Sequence, residues 1–115
     1  MEQRASPRFR LNQAIRLNFD RDGTEEYLSA EIIDLSADGV GILSDSQVPV
    51  PSPMFLMFGL QQENPPLNLV RCEGYATRSE VMGEQYLIGV KFTIMDSDST
   101  RALRGCLDSL QASMA

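Results

Sequence analysis

The chain has 115 residues, of which 43% are hydrophobic and 23% charged, at a net charge of -6; that describes one soluble domain large enough for its own core. No run approaches the ~18 apolar residues of a membrane helix, the polar start shows no leader segment, and a cytoplasmic protein is expected. Histidine is absent, so the commonest general base and metal ligand are missing, and the acidic balance argues against binding DNA or RNA duplexes.

The charge is unevenly placed. Three arginines against one glutamate leave the first ten residues at net +2 and the other 105 at net -8. The arginines lie in R-A-S-P-R-F-R, residues 4–10, where Pro7 bars regular helix and holds Ser6 extended. Residues 1–12 are expected as a mobile arginine-bearing segment, with the folded domain following.

Strand signals then dominate. QAIRLNF (13–19) puts Ile15, Leu17 and Phe19 on one face and Ala14, Arg16 and Asn18 on the other. DRDGT (20–24) supplies a hairpin turn at Asp22-Gly23. Strands follow at 27–36 and 39–44, separated by SADG, and Gly39 and Gly41 imply a bend or a close approach to the backbone. DSQVPVPSP (45–53) reads as a loop, MFLMFGL (54–60) as a strand, and QQENPP (61–66) as a turn. LVRCEGYATRSE (69–80) and QYLIGVKFTIM (85–95) complete six strands. Short spacing and hairpin-sized turns predict an all-β fold of six antiparallel strands over 13–95, a barrel or a sandwich.

DSDST (96–100) offers helix caps. Leu103, Leu107, Leu110 and Met114 recur on one helical face, so a C-terminal helix over 97–113 is predicted. MFLMFGL is apolar on both faces. Phe55 and Met57 point one way, Met54, Leu56 and Phe58 the other, and the second set is expected to need a cover, either the helix or a partner protein. Cys72 and Cys106 lack metal-type spacing and are expected as free thiols.

Two elements carry chemistry. Arg4 and Arg8 bracket Pro7, and nine of the ten basic residues are arginine. Guanidinium forks suit phosphates and the O6/N7 edge of guanine, and their planes stack on bases. A solvated basic tail is the competing explanation. The second element is D-L-S-A-D-G, residues 34–39. Asp34 can accept N–H groups from a guanine edge, Ser36 can donate and accept, and Gly39 is expected to take positive φ and admit a ligand. Closure of a turn on its own backbone is the competing explanation here.

Taken together, R-x-x-x-R (Arg4, Arg8) and D-x-S-x-x-G (Asp34, Ser36, Gly39), with I-G-V-K-F at 88–92 as a last strand, resemble the PilZ family from about residue 2 to residue 112. The resemblance implies a six-stranded barrel with a C-terminal helix and cyclic di-GMP as ligand. It implies that Arg4 and Arg8 grip phosphates and guanine faces while Asp34, Ser36 and Gly39 shape the pocket. Many members carry an arginine just before R-x-x-x-R; Gln3 stands there and leaves open whether one ligand or a stacked pair binds. Some members set an aromatic of the fifth strand against the ligand, and Tyr75 and Arg78 are both candidates. Arg10 is expected in a groove contact or a salt bridge.

The expected function is therefore a cyclic di-GMP receptor or adaptor, not an enzyme, with no further cofactor, no metal and no catalytic residues. Ligand would reorder the N-terminal segment, and an unidentified downstream protein would read the change in motility, biofilm or virulence control. A monomer or weak dimer is expected, without membrane insertion. The alternative is a PilZ-type interaction module of pilus or motility machinery that binds no nucleotide.

Overall fold

Six stretches of alternating apolar and polar residues become six strands. The computed structural model describes residues 8–21, 23–61 and 67–113. Its elements are β1 (Phe9–Arg21), β2 (Thr24–Leu35), β3 (Gly39–Ser44), β4 (Ser52–Gln61), β5 (Leu67–Met82), β6 (Gln85–Met95) and α1 (Ser97–Ser113). All neighbours pair antiparallel in the order β1-β2-β3-β6-β5-β4. β4 returns to β1, with Met57 to Met54 opposite Arg16 to Phe19. The sheet is a closed barrel, which leaves no unpaired edge, and the expected barrel with a terminal helix is what forms.

Period two sets the core. Ile15, Leu17 and Phe19 of β1 point inward, and Ile32, Leu35, Val40, Ile42, Val70, Ala76, Ile88 and Val90 meet them there. Two hairpins are closed by glycine. Gly23 (φ 84°) lies between Arg21 and Thr24, which pair, and Gly83 (φ 63°) between Met82 and Gln85, which also pair. Such two-residue loops need positive φ, which glycine adopts without a Cβ clash.

Two expectations change. β1 begins at Phe9, four residues before Gln13. Phe9 is buried and pairs with Leu35, and Leu11 packs on the core. Their apolar side chains draw residues 9–12 into the barrel, while the expected mobility of residues 1–7 lies outside the described residues. In β4 the inner set is Met54, Leu56 and Phe58, each at most 3% exposed. They face the barrel interior and share one core cluster with Leu103 and Cys106 of α1, so no partner protein is needed over them. The outward pair is Phe55 and Met57, 59% and 42% exposed.

α1 follows β6 after a single capping residue. Asp96 Oδ1 accepts the Ser99 amide at 2.7 Å, an amide with no partner within the helix, and the Asp96 carbonyl accepts the Thr100 amide at 2.9 Å as the first bond of the helical ladder. Ser99 is itself buried, and its Oγ accepts the Arg71 amide of β5 at 2.9 Å. This bond ties the first turn to the barrel wall. Leu103 and Cys106 are buried and Ala102, Leu107 and Leu110 half-buried against the core. Both cysteines are free and buried. Burial, then the nearby Asp96 carboxylate, pushes the Cys72 thiol up to about 12, and burial raises that of Cys106.

Two measurements check this arrangement. Leu56→Ala removes a core side chain and should cost about 2–5 kcal/mol in urea unfolding, whereas Phe55→Ala should stay within about 0.5 kcal/mol. The Ser99 amide bond, above all, holds the Asp96 carboxyl below its ordinary value of 3.8. A depressed folded value means that its stabilisation is full above 3.8 and is lost as pH falls through the lower folded value. The gap in melting temperature between the native chain and Asp96→Ala should therefore hold from neutral pH down to 3.8 and close below it.

Candidate functional site

The D-L-S-A-D-G segment ends β2, turns and opens β3. Ser36 makes the turn. Its amide donates to the Gly39 carbonyl at 3.0 Å, and its Oγ accepts the amides of Asp38 and Gly39, both at 3.2 Å. Oγ also donates to the Gly39 carbonyl at 3.4 Å. Ser36 is only 3% exposed, so its hydroxyl is engaged by its own turn, the competing explanation raised above. Gly39 does not take the expected positive φ; among the described glycines only Gly23 and Gly83 do. It is there because β6 passes close by: a Cβ at position 39 would overlap the Val90 carbonyl oxygen. The Asp38 carbonyl accepts the Phe92 amide at 2.8 Å and pins the same crossing.

Asp34 reaches the outer face through a break in register. Ile32 pairs with Ile42 and Asp34 with Gly41, so Ile33 is an extra residue in β2. Strict alternation from the inward Ile32 would send Asp34 into the apolar core. The bulge turns it outward, a common use of bulges beside functional sites. Its carboxylate then lies against Gly41, where a Cβ would stand 2.8 and 2.9 Å from Oδ1 and Oδ2.

Arg8 meets that carboxylate. Its Nη1 donates to Asp34 Oδ1 at 2.5 Å, with the two side chains 35% and 29% exposed. Arg10 stands opposite Asp34 in the β1–β2 register and is exposed, and the expected salt bridge for it does not occur among the described residues. Arg4 lies outside the described residues. The structure thus brings Arg8, Asp34, Ser36 and Gly39 to one end of the β2–β3 hairpin, with Ser36 and Gly39 shaping the backbone that presents Asp34.

The same row continues across the barrel. Gly41 pairs with Gly89 of β6, and Gly89 with Arg78 of β5. Arg78 follows a second bulge, since Ala76 pairs with Val90 and Thr77 is extra. Tyr75 pairs instead with Lys91, which is opposite Gly39, one row away. Gly41 and Gly89 have no claim on the site from spacing alone, and Arg78 is a candidate only through the family resemblance. G-V-G and I-G-V-K-F are visible in the sequence, but their juxtaposition is a product of strand pairing.

A separate opening lies elsewhere on the barrel. A groove of about 490 Å³ is lined by Tyr27, Phe55, Met57 and Ile94, with Arg16 and Arg71 at its sides. Glu25 accepts from Tyr27 Oη at 2.6 Å and from Asn18 Nδ2 at 3.2 Å beside it.

The family model for the PilZ domain matches residues 2–109. The chain belongs to the PilZ family. No curated protein is a significant sequence match, but solved PilZ-type structures align well. The inhibitor of motility MotI/DgrA of Bacillus subtilis superposes with a TM-score of 0.79 at 12% identity, covering 100% of this chain and 55% of that one. MrkH of K. pneumonia in complex with c-di-GMP gives 0.71 at 17% identity, over 99% and 55%. The PilZ domain of Escherichia coli YcgR with c-di-GMP gives 0.63 at 14%, over 98% and 95%. The chain thus spans just over half the length of the MotI and MrkH chains and nearly all of the YcgR domain. At these identities the likeness is one of fold.

Within this PilZ domain the role of Gly39 as a packing residue is testable without ligand. Gly39→Ala forces a methyl group against backbone of β6 that has no freedom to move aside. It should lower stability by about 1–3 kcal/mol in urea unfolding of the free protein.

Proposed function

We propose that this PilZ domain is a cyclic di-GMP receptor whose site is the outer face of β2 and β3 together with the arginines that precede β1. The observation that carries the reading is the Arg8–Asp34 pair on that face. A carboxylate has about four lone-pair positions, so Asp34 can keep Arg8 and still accept the N1 and N2 hydrogens of a guanine. Arg8, held at the edge of the same group, offers its remaining N–H donors to a phosphate. Arg4 supplies the second guanidinium. One carboxylate for a base edge beside guanidinium groups for phosphates is the chemistry of a guanine nucleotide.

Ligand binding would gather Arg4 with Arg8 and reorder the chain ahead of β1, a switch driven by contacts made only in the bound state. A downstream protein would read the reshaped surface. An interaction module that binds no nucleotide is the second reading. One observation favours it: the outward row of Phe55, Met57 and Ile94, at 59%, 42% and 61% exposed, is uncovered by α1.

Calorimetric titration with cyclic di-GMP separates the two. The receptor reading expects saturable binding whose stoichiometry also decides between one ligand and a stacked pair. Arg4→Ala and Arg8→Ala should each weaken binding about 10- to 150-fold. Unchanged affinity in both variants overturns the site, and no binding by the native chain leaves the second reading standing.

A further inference from the structure

Tyr27, Asn18, Phe55, Glu73 and Ile94 form one outward row over five strands, each opposite the next in register. Beside it runs a second row, Ser29, Arg16, Met57 and Arg71. The two ends of the first row, Tyr27 and Ile94, line one groove with Phe55 and Met57, so this part of the wall faces a single direction. All four of these side chains are exposed. The charged groups around them are of two kinds. Glu25 is engaged by Tyr27 and Asn18, and Asp96 by the Ser99 amide. Arg16, Arg71 and Glu73 make no salt bridge among the described residues. Arg71 and Glu73 lie two residues apart on β5, the first beside Met57 and the second beside Phe55. Opposite charges thus stand unpaired in the two rows, with apolar side chains between them and the neighbouring strands.

We infer that this face binds a second copy of the chain, about a two-fold axis running across the strands between the two rows. Such an axis reverses the strands and exchanges the rows, so every contact occurs twice. Phe55 meets Met57 of the partner subunit, Glu73 meets Arg71 of the partner subunit, and Arg16 meets Asn18 of the partner subunit. The face therefore complements itself. A uniformly acidic or uniformly basic partner would instead set Glu73 or Arg71 against its own sign. Four strand spacings by two side-chain repeats, with the reach of the side chains added, give about 400–500 Å² per copy. That lies at the low end of specific interfaces, so the dimer is weak and reversible. Asp34 is far along β2 from Tyr27, about 23 Å by strand rise, and the Arg8–Asp34 pair stays open in the dimer. The inference is independent of the nucleotide reading. It does occupy the apolar row on which the interaction-module reading rests.

The test is sedimentation velocity of the full chain without nucleotide, from about 10 to 500 µM, the range in which an interface of this size associates. Urea unfolding at low concentration checks that each variant folds. The native chain should shift from monomer to dimer as concentration rises. Phe55→Ala should weaken the association about 10-fold or more, because it truncates a side chain at the centre of the contact. Arg71→Glu and Glu73→Arg each set like charges against each other at two places, and each should weaken it about 5-fold or more. An equimolar mixture of those two variants should associate more tightly than either alone, since every 71–73 contact between unlike chains regains opposite signs. Net charge cannot produce that result: the mixed pair repels more than two Glu73→Arg chains do. A native chain that stays monomeric throughout overturns the inference and leaves the face to a different protein. A dimer that survives Phe55→Ala unchanged lies on another surface and overturns it too. A mixture no tighter than its components overturns the two-fold pairing of Arg71 with Glu73.

Discussion

Two extra residues decide what this barrel presents to solvent. Ile33 in β2 and Thr77 in β5 each interrupt the pairing for one position. The interruptions matter because side-chain direction in a strand has a period of two. In an unbroken ladder Asp34 and Arg78 would share the interior with Ile32, Ile42, Ile88 and Ala76, all fully buried. An isolated charge there would be prohibitively expensive. The bulges move both groups to the outside while Leu35 and Ser79, the next residues, return to the inner register opposite Val40 and Ile88. Core and site are thus compatible within the same strands.

Glycine completes the arrangement by different means at different positions. At 39 it removes a Cβ that would collide with β6 backbone. At 41 and 89 it removes ones that would lift Asp34 and Arg78 off the sheet. At 23 and 83 it serves hairpin turns through positive φ. Ser36 works alongside them, holding the β2–β3 turn with three hydrogen bonds from its hydroxyl. Residues of the D-L-S-A-D-G segment therefore divide their work: Asp34 faces outward, while Ser36 and Gly39 hold the backbone that aims it.

The helix seals a different part of the molecule. Its first turn is capped by Asp96 and bonded to Arg71 through Ser99, and its apolar side rests on the core chiefly against β5. It leaves Phe55, Met57 and Ile94 open on the outer surface. The phase of β4 is not encoded in MFLMFGL alone. A strand apolar on both faces carries no signal about which face is inside, and only its pairing with β1 and β5 resolves the choice.

The sequence by itself determined the six strands, the terminal helix over 97–113, the hairpin glycine at 23 and the inward set of Ile15, Leu17 and Phe19, because these follow from local periodicity and turn chemistry. It also marked Arg8, Asp34, Ser36 and Gly39, whose residue types suit an anionic guanine ligand. Tertiary structure alone decided that Phe9 and Leu11 join the barrel, that Met54, Leu56 and Phe58 are its core, and that Gly39 serves packing instead of a positive φ. It alone put Arg78 and Gly89 in the row of Asp34. Those outcomes depend on register between strands dozens of residues apart and on single extra residues within them, neither of which leaves a trace in the alternation of one strand.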